Sequence, residues 1–341
     1  MRRHHLVAGL ILTSALFTIG QAEETKPYPS FGKIIRLDPR IDAILPPDAK
    51  LEKLASGFEW SEGPVWIPQE DCLLFSDIPN DSIMRWSEKD GLTLFLKPAG
   101  QSGAVRRGTE PGSNGLLLDK AGNLVMCQHG DRQIARLKGV DPKSKQTVLI
   151  DNYQGKRLNS PNDGAFKSNG DLYFTDPPYG LKLAEKDPAR ELPYSGIYRL
   201  TPAGKLTLLN DKLTFPNGLA FSPDEKKLYV AQSDPKAALW MVFDVKEDGT
   251  LSEGEVFFDA TKWVETEKGL PDGLKVDQSG NIFATGPGGV FIFAPDGTHL
   301  GTIATGEATG NCAWGDDGSS LYINADMYLG RVKTSTRGTG W

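Results

Sequence analysis

The sequence has few cysteines and lacks the marks of several protein classes. Its three cysteines show no CxxC spacing, so neither a zinc site nor a disulfide scaffold is indicated, and an odd count leaves at most one internal bridge. The net charge is −6 and the acidic and basic residues are interspersed, which argues against nucleic acid as a partner. No GxSxG segment occurs, so a serine nucleophile elbow is not indicated.

Only one long apolar run is present, and it lies at the start of the chain. Arg2 and Arg3 precede an uncharged apolar stretch over residues 6–20, which predicts a signal peptide over residues 1–22 and a mature chain over residues 23–341. The stretch is shorter than the ~20 residues that span a bilayer, and an uncleaved anchor is the alternative. We therefore expect an exported protein, periplasmic in a Gram-negative bacterium or secreted, with no membrane association after cleavage.

One pattern recurs six times along the mature chain. Each copy has a polar head residue, a short apolar segment, a turn rich in Gly, Asp or Asn, and a second apolar segment. The distance from a head to the first apolar residue of its second segment is always 10 or 11 residues, and successive heads lie 52, 48, 55, 55 and 39 residues apart. The heads are Glu62, Asn114, Asn162, Asn217, Asp272 and Asn311.

This spacing is close to the period of about 40 to 50 residues that is typical of a four-stranded propeller blade. Few stretches show helical periodicity, and Gly and Pro fall at turn spacing, so an all-β fold is favoured. We predict a single six-bladed β-propeller domain over residues 23–341, with a β-sandwich or two stacked barrels as the alternative. Residues 50–55, which precede the first head, are expected to form the outer strand of the last blade and to close the ring.

The head residues predict a cation site in the central channel. Equivalent positions of the innermost strands of a propeller converge on its axis, and every head carries a side-chain oxygen, from two carboxylates and four amides. Such hard donors suit Ca²⁺ or Mg²⁺, and also Mn²⁺, better than Zn²⁺. Two carboxylates also balance a divalent charge. For any single head, a turn-capping role is the ordinary alternative.

Several motifs together resemble the gluconolactonase and regucalcin-like (senescence marker protein) family. The resemblance covers the mature chain from about Phe31 onward. It is carried by WSEGPVW at residues 60–66, LFSDIP at 74–79, NSPNDG at 159–164, FTDPPYG at 174–180, FPNGLAFS at 215–222 and PDGL at 271–274.

The resemblance implies a six-bladed propeller with a divalent cation in its channel. The metal ligands of the family match Glu62, Asn217 and Asp272, and the family asparagine beside the metal, which contacts water or substrate, matches Asn162. These four residues are the predicted metal site, with Ca²⁺ expected and Mg²⁺, Mn²⁺ or Zn²⁺ as alternatives. Animal members carry an arginine where this chain has Ser160, so their substrate preference is not transferred.

The reaction implied is hydrolysis of a small-molecule sugar lactone by metal polarisation of the carbonyl and attack of water. Asp272 is the candidate base, and Asn162 orients water or substrate. Asn162, Asn114 and His129 are the candidate substrate-binding residues, although a histidine in a turn is often only a surface residue. The alternatives are a non-catalytic calcium-braced interaction module and a related esterase or organophosphate hydrolase. The sequence does not specify the oligomeric state.

Two features near the third head allow two interpretations each. Residues 181–195 form a polar insertion that either gates a site or is a passive surface loop. Asp176 precedes Pro177, and an aspartate before proline favours turn initiation over a direct role in chemistry.

Overall fold

The computed structural model describes Met1, residues 28–103 and residues 108–341. Apart from Met1, the predicted signal peptide lies outside these residues. Helix in the described part is limited to three short 3-10 segments, Pro39–Ala43, Ala184–Lys186 and Thr261–Trp263. None of these helices has the length and apolar character needed to cross a membrane.

Six antiparallel sheets, formed by the described residues, are the blades of a propeller. In each blade the innermost strand contains or closely follows one of the predicted heads. The innermost strands of successive blades contact one another, and that of blade 6 contacts that of blade 1. The ring is therefore closed, and the predicted all-β, six-bladed propeller is confirmed.

The strands of each blade follow one another from the channel to the rim. From the innermost to the outermost strand, blade 1 contains Ser61–Ile67, Cys72–Asp77, Ser82–Ser87 and Gly91–Leu96, blade 2 Ser113–Leu118, Leu124–Gln128, Gln133–Arg136 and Thr147–Ile150, and blade 3 Gly164–Phe166, Leu172–Asp176, Gly196–Leu200 and Leu206–Asn210. In the same order, blade 4 contains Pro216–Phe221, Lys227–Asp234, Ala237–Asp244 and Glu255–Asp259, blade 5 Leu274–Val276, Ile282–Gly286, Gly289–Phe293, His299–Ala304 and Lys33–Arg36, and blade 6 Thr309–Gly315, Ser320–Ala325, Tyr328–Lys333 and Glu52–Ser56. A separate hairpin joins Asn152–Tyr153 to Lys156–Arg157.

Burial decreases from the second strand of a blade towards its rim. The second strands of blades 1, 2, 3, 5 and 6 are buried along their whole length, whereas the fourth strands of blades 1, 2 and 4 include exposed residues. A cluster of buried apolar side chains fills each gap between adjacent blades. Both faces of the second strands are therefore covered, which explains their continuous apolar runs.

The N-terminal part of the described chain completes the last two blades. Glu52–Ser56 pairs with Tyr328–Lys333, as predicted for the strand that closes the ring. Lys33–Arg36 pairs with His299–Ala304 as a fifth strand of blade 5. That fifth strand was not predicted, because four residues with alternating partial exposure give a weak sequence signal.

The three cysteines, Cys72, Cys127 and Cys312, are all described, and each is a buried free thiol. They belong to the second strand of blade 1, the second strand of blade 2 and the innermost strand of blade 6. No pair is bridged. The cysteines therefore act as small apolar side chains within the blade interfaces.

A buried arginine links the closing strand of blade 6 to blade 1. Arg331, in the third strand of blade 6, is 6% exposed. Its guanidinium donates to Glu52 Oε2 of the closing strand at 2.8 and 2.9 Å and to Glu88 Oε1, just beyond the third strand of blade 1, at 2.5 Å. It also lies 5.7 Å from the ring of Trp86. These contacts cross the seam at which the ring closes.

We expect Arg331→Ala to lower the free energy of unfolding by about 2–4 kcal/mol, because it removes a buried cation, its charge-assisted hydrogen bonds and its packing. Urea denaturation followed by tryptophan fluorescence measures the change. Lys212→Ala is the control, since the Lys212–Glu253 pair is highly exposed and exposed ion pairs contribute little to stability. If the two substitutions changed the free energy of unfolding equally, the contacts of Arg331 would not have the proposed stabilising role.

Candidate metal centre

Five of the six heads come together at one end of the channel. Glu62, Asn114, Asn162, Asn217 and Asp272 line one cavity of about 230 Å³. Asn311 instead lines a larger cavity at the other end of the channel. The described residues that complete the lining of the smaller cavity are Trp60, Glu110, Tyr179, Ser233, Gly269 and Leu270.

Glycines next to the heads allow this convergence. In four blades a glycine follows the head directly, as at Gly63, Gly115, Gly218 and Gly273. A Cβ added at these positions would lie between 2.0 and 2.7 Å from an atom of the next blade, well inside contact distance. Only glycine therefore lets the innermost strands approach closely enough to place their heads around one cavity.

Oxygen atoms without donors face this site. Glu62 is 1% exposed, and its Oε2 accepts from the Gly63 N–H and, at 3.1 Å, from Asn311 Nδ2. Within the described chain, the buried atoms Glu62 Oε1 and Asn114 Oδ1 have no hydrogen-bond partner. Buried acceptors that lack a donor are uncommon in folded proteins, and they are suited to a cation.

The side-chain amide of Asn217 also leaves an oxygen atom as an acceptor. Its Nδ2 donates to Ser233 Oγ at 3.0 Å, and Ser233 Oγ in turn donates to the carbonyl of Pro271. This chain fixes which end of the amide carries the donor, so the carbonyl oxygen of Asn217 is left to accept. Among the described residues, no three His, Cys, Asp or Glu side chains form a metal site by themselves, so amide oxygens have to complete the donor set.

Carboxylates accumulate at the site without an equal number of cations. Burial, and then the charge of Asp163, raises the pKa of Glu62 to about 7. Burial, followed by the charges of Glu62 and Asp163, raises the pKa of Asp272 well above its ordinary value. A bound divalent cation would offset this repulsion. Oxygen donors and net negative charge together fit Ca²⁺, Mg²⁺ or Mn²⁺.

Two further charged residues at the site, Asp163 and Lys275, were not predicted from the sequence. Asp163 is 3% exposed, and its Oδ2 accepts from Asn311 Nδ2 at 3.2 Å. Lys275 Nζ approaches from the other end of the channel and donates to Asn311 Oδ1 at 3.3 Å. Asn311 thus links one cation to two carboxylates, those of Glu62 and Asp163. The sequence did distinguish Asp163, because an aspartate follows the third head whereas a glycine follows four of the other heads.

His129 lies beside the cavity and not at the surface. It is fully buried, it is not part of the cavity lining, and its Nδ1 lies 3.4 Å from Glu110 Oε2. Glu110, which does line the cavity, was also missed. Asn114 and Asn162, the other two candidate substrate-binding residues, line the cavity directly.

The side chain of Ser160 holds a neighbouring loop. Its hydroxyl donates to the carbonyl of Pro177 at 2.6 Å and accepts from the Gly180 N–H at 2.9 Å. These bonds fix the segment that presents Tyr179 to the cavity. Asp176, the last residue of its strand, accepts from the N–H groups of Asn159 and Ser160, at 2.8 Å each. These bonds hold a separate segment against the end of the strand, and the turn-initiating role stays a prediction.

Residues 181–195 are tied to the propeller at several points. Leu192 is 2% exposed, the carbonyl of Ala189 accepts from Arg132 at 2.8 Å, and Glu191 accepts from the Arg157 N–H at 2.8 Å. The insertion does not contribute to the lining of the metal cavity. The described contacts therefore match an anchored surface segment.

Comparisons with known proteins agree in family and fold. Residues 60–326 match the family model described as SMP-30/Gluconolactonase/LRE-like region. A gluconolactonase of Zymomonas mobilis is 41% identical over 340 residues, 97% of this chain and 95% of that protein. The structure of a gluconolactonase of Xanthomonas campestris matches with a TM-score of 0.77 and 31% identity, over 91% of this chain and 99% of that one. A calcium-binding regucalcin of Agrobacterium tumefaciens shares the fold, with a TM-score of 0.63 and 19% identity over 92% and 96% of the two chains.

The family model spans well over half of the chain, and the curated relative matches along almost all of it. The motif resemblance found in the sequence is thereby confirmed. The chain belongs to the SMP-30/gluconolactonase/LRE-like family and is a lactone-hydrolysing carboxylic-ester hydrolase.

Proposed function

We propose that the protein opens a sugar lactone by attack of water in a reaction that depends on a divalent cation, Ca²⁺ in the first instance. The observation that carries the proposal is the convergence of Asp272 with two unpartnered buried oxygens, Glu62 Oε1 and Asn114 Oδ1, in one cavity. The relatives named gluconolactonase support the substrate class. Glu62, Asn162, Asn217 and Asp272 would hold the cation.

The side chains have separate tasks in the reaction. A bound divalent cation supplies Lewis-acid polarisation of the lactone carbonyl. Asp272 takes a proton from the attacking water as the water oxygen bonds to the carbonyl carbon. Asn162 orients the water or the lactone. The bond between the carbonyl carbon and the ring oxygen then breaks, the ring oxygen takes the proton that Asp272 received, and the product is the open hydroxy acid.

Removing the metal, or the carboxylate of Asp272, tests the mechanism. We expect chelation to abolish hydrolysis of δ-gluconolactone and Ca²⁺, Mg²⁺ or Mn²⁺ to restore it. Asp272→Asn should lower kcat by about 10²–10⁴-fold, because it removes both a ligand and the base. Rates are measured in a pH-stat after subtraction of the spontaneous reaction. Glu247→Gln, an exposed position, is the control; full turnover by the metal-free protein would refute the proposed dependence on metal.

The bridge formed by Asn311 yields a second prediction, with metal affinity as its readout. Asn311→Leu removes the hydrogen bond that orients the carboxylate of Glu62, and the loss of such a contact to a metal ligand lowers metal affinity, so we expect the Kd for Ca²⁺ to rise about 10- to 100-fold. Isothermal titration calorimetry measures the Kd directly. Asn281→Leu is a control for lost stability, because Asn281 bonds Asp277 in a turn outside the channel. An unchanged Kd in Asn311→Leu would show that the bridge does not position the ligand.

A further inference from the structure

A carboxylate and a buried imidazole form a pair at the edge of the metal cavity. Glu110 lies just before the innermost strand of blade 2, and its side chain is 33% exposed. His129 directly follows the second strand of the same blade, Leu124–Gln128, and its side chain is fully buried. The two meet at 3.4 Å, between His129 Nδ1 and Glu110 Oε2. Neither residue is among the predicted ligands of the cation.

His129 is held rigidly in place. Its backbone N–H donates to the carbonyl of Gly112 at 3.1 Å. A Cβ added at Gly180 would lie 2.7 Å from the Cβ of His129, so the two segments are in close contact. Within the described chain neither ring nitrogen makes a hydrogen bond, and Nδ1 lies 3.4 Å from Glu110 Oε2. A buried imidazole favours a polar partner, and the carboxylate of Glu110 is the polar group that faces it.

The other side of Glu110 faces the cavity, where Tyr179 also lies. The hydroxyl of Tyr179 is buried, and its ring stacks on Phe215 at 5.8 Å between centroids. Glu110, Tyr179 and Asp272 line the same cavity. The cavity therefore offers an acceptor and a hydroxyl beyond those that would hold a cation.

We propose that Glu110, positioned by His129, accepts a hydrogen bond from a hydroxyl of the substrate and selects polyhydroxylated lactones over unsubstituted ones. A carboxylate accepts hydroxyl donors in charge-assisted bonds that are stronger than neutral ones. A lactone without hydroxyl groups makes no such bond and leaves the carboxylate unpaired, which disfavours its binding. The inference rests on the proposed lactonase function and adds to it a determinant of substrate specificity.

Comparing two substrates distinguishes a role of Glu110 in substrate recognition from a role in the chemical step. We expect Glu110→Gln to lower kcat/KM for δ-gluconolactone about 10- to 100-fold, chiefly through KM, because a charge-assisted hydrogen bond is lost. For δ-valerolactone, which has a ring of the same size without hydroxyl groups, we expect a change of less than about threefold. Glu247→Gln is the control and should leave both substrates unaffected.

His129→Gln tests the positioning role. The substitution keeps a polar side chain but not the rigid ring, so we expect a smaller rise in KM for δ-gluconolactone, in the same direction as in Glu110→Gln, and no change for δ-valerolactone. The rise in Tm on adding Ca²⁺ should match that of wild type in both variants, which shows that the fold and the metal site are intact.

The following outcomes would each refute the proposed selective role of Glu110. If Glu110→Gln lowers kcat/KM for both lactones by the same factor, or for neither, the proposed selection is wrong. If wild type with metal restored opens neither lactone, the proposed function fails, and the inference fails with it. If wild type opens both lactones at equal kcat/KM, the lactonase proposal stands and the selective role of Glu110 is refuted.

Discussion

The close approach of the innermost strands at the axis is the constraint on which the site depends. Glycines follow four of the six heads, and at each of them a single added carbon would collide with the next blade. The strands can therefore bring polar side chains from separate parts of the chain to within a few ångströms of one another. Each blade contributes only one head, and the five heads that line the cavity come from five different blades. The cavity therefore exists only when the ring is assembled.

This convergence has an electrostatic cost that the surrounding residues partly offset. Glu62, Asp163 and Asp272 repel one another in a buried environment, which raises the pKa values of Glu62 and Asp272. Asn311 donates to two of these carboxylates and accepts from Lys275. The site thus has an internal counter-charge at one end of the channel and room for an external cation at the other. The same arrangement keeps one oxygen of Glu62 engaged and the other free.

The sequence predicts the fold and the convergence of most heads because both depend on a repeated spacing. The periodic heads specify the blades, and the glycine after a head marks where strands meet. The spacing treats all six heads alike, whereas Asn311 lines the other cavity and hydrogen-bonds Glu62 and Asp163. Glu110, His129 and Lys275 come together through tertiary contacts between separate segments, and no local pattern identifies such contacts.

The strand Glu52–Ser56 precedes blade 1 in the chain yet lies outermost in blade 6, beside Tyr328–Lys333. During synthesis this segment is made early and remains unpaired until nearly the last residue has been added. A chain that ends anywhere before Tyr328 would keep the early strand but lack the strand that pairs with it. Without a closed ring, the innermost strands would not be held together at the axis. Proteolytic fragments are therefore expected to lose the candidate metal cavity as a whole, even when every predicted ligand is still present.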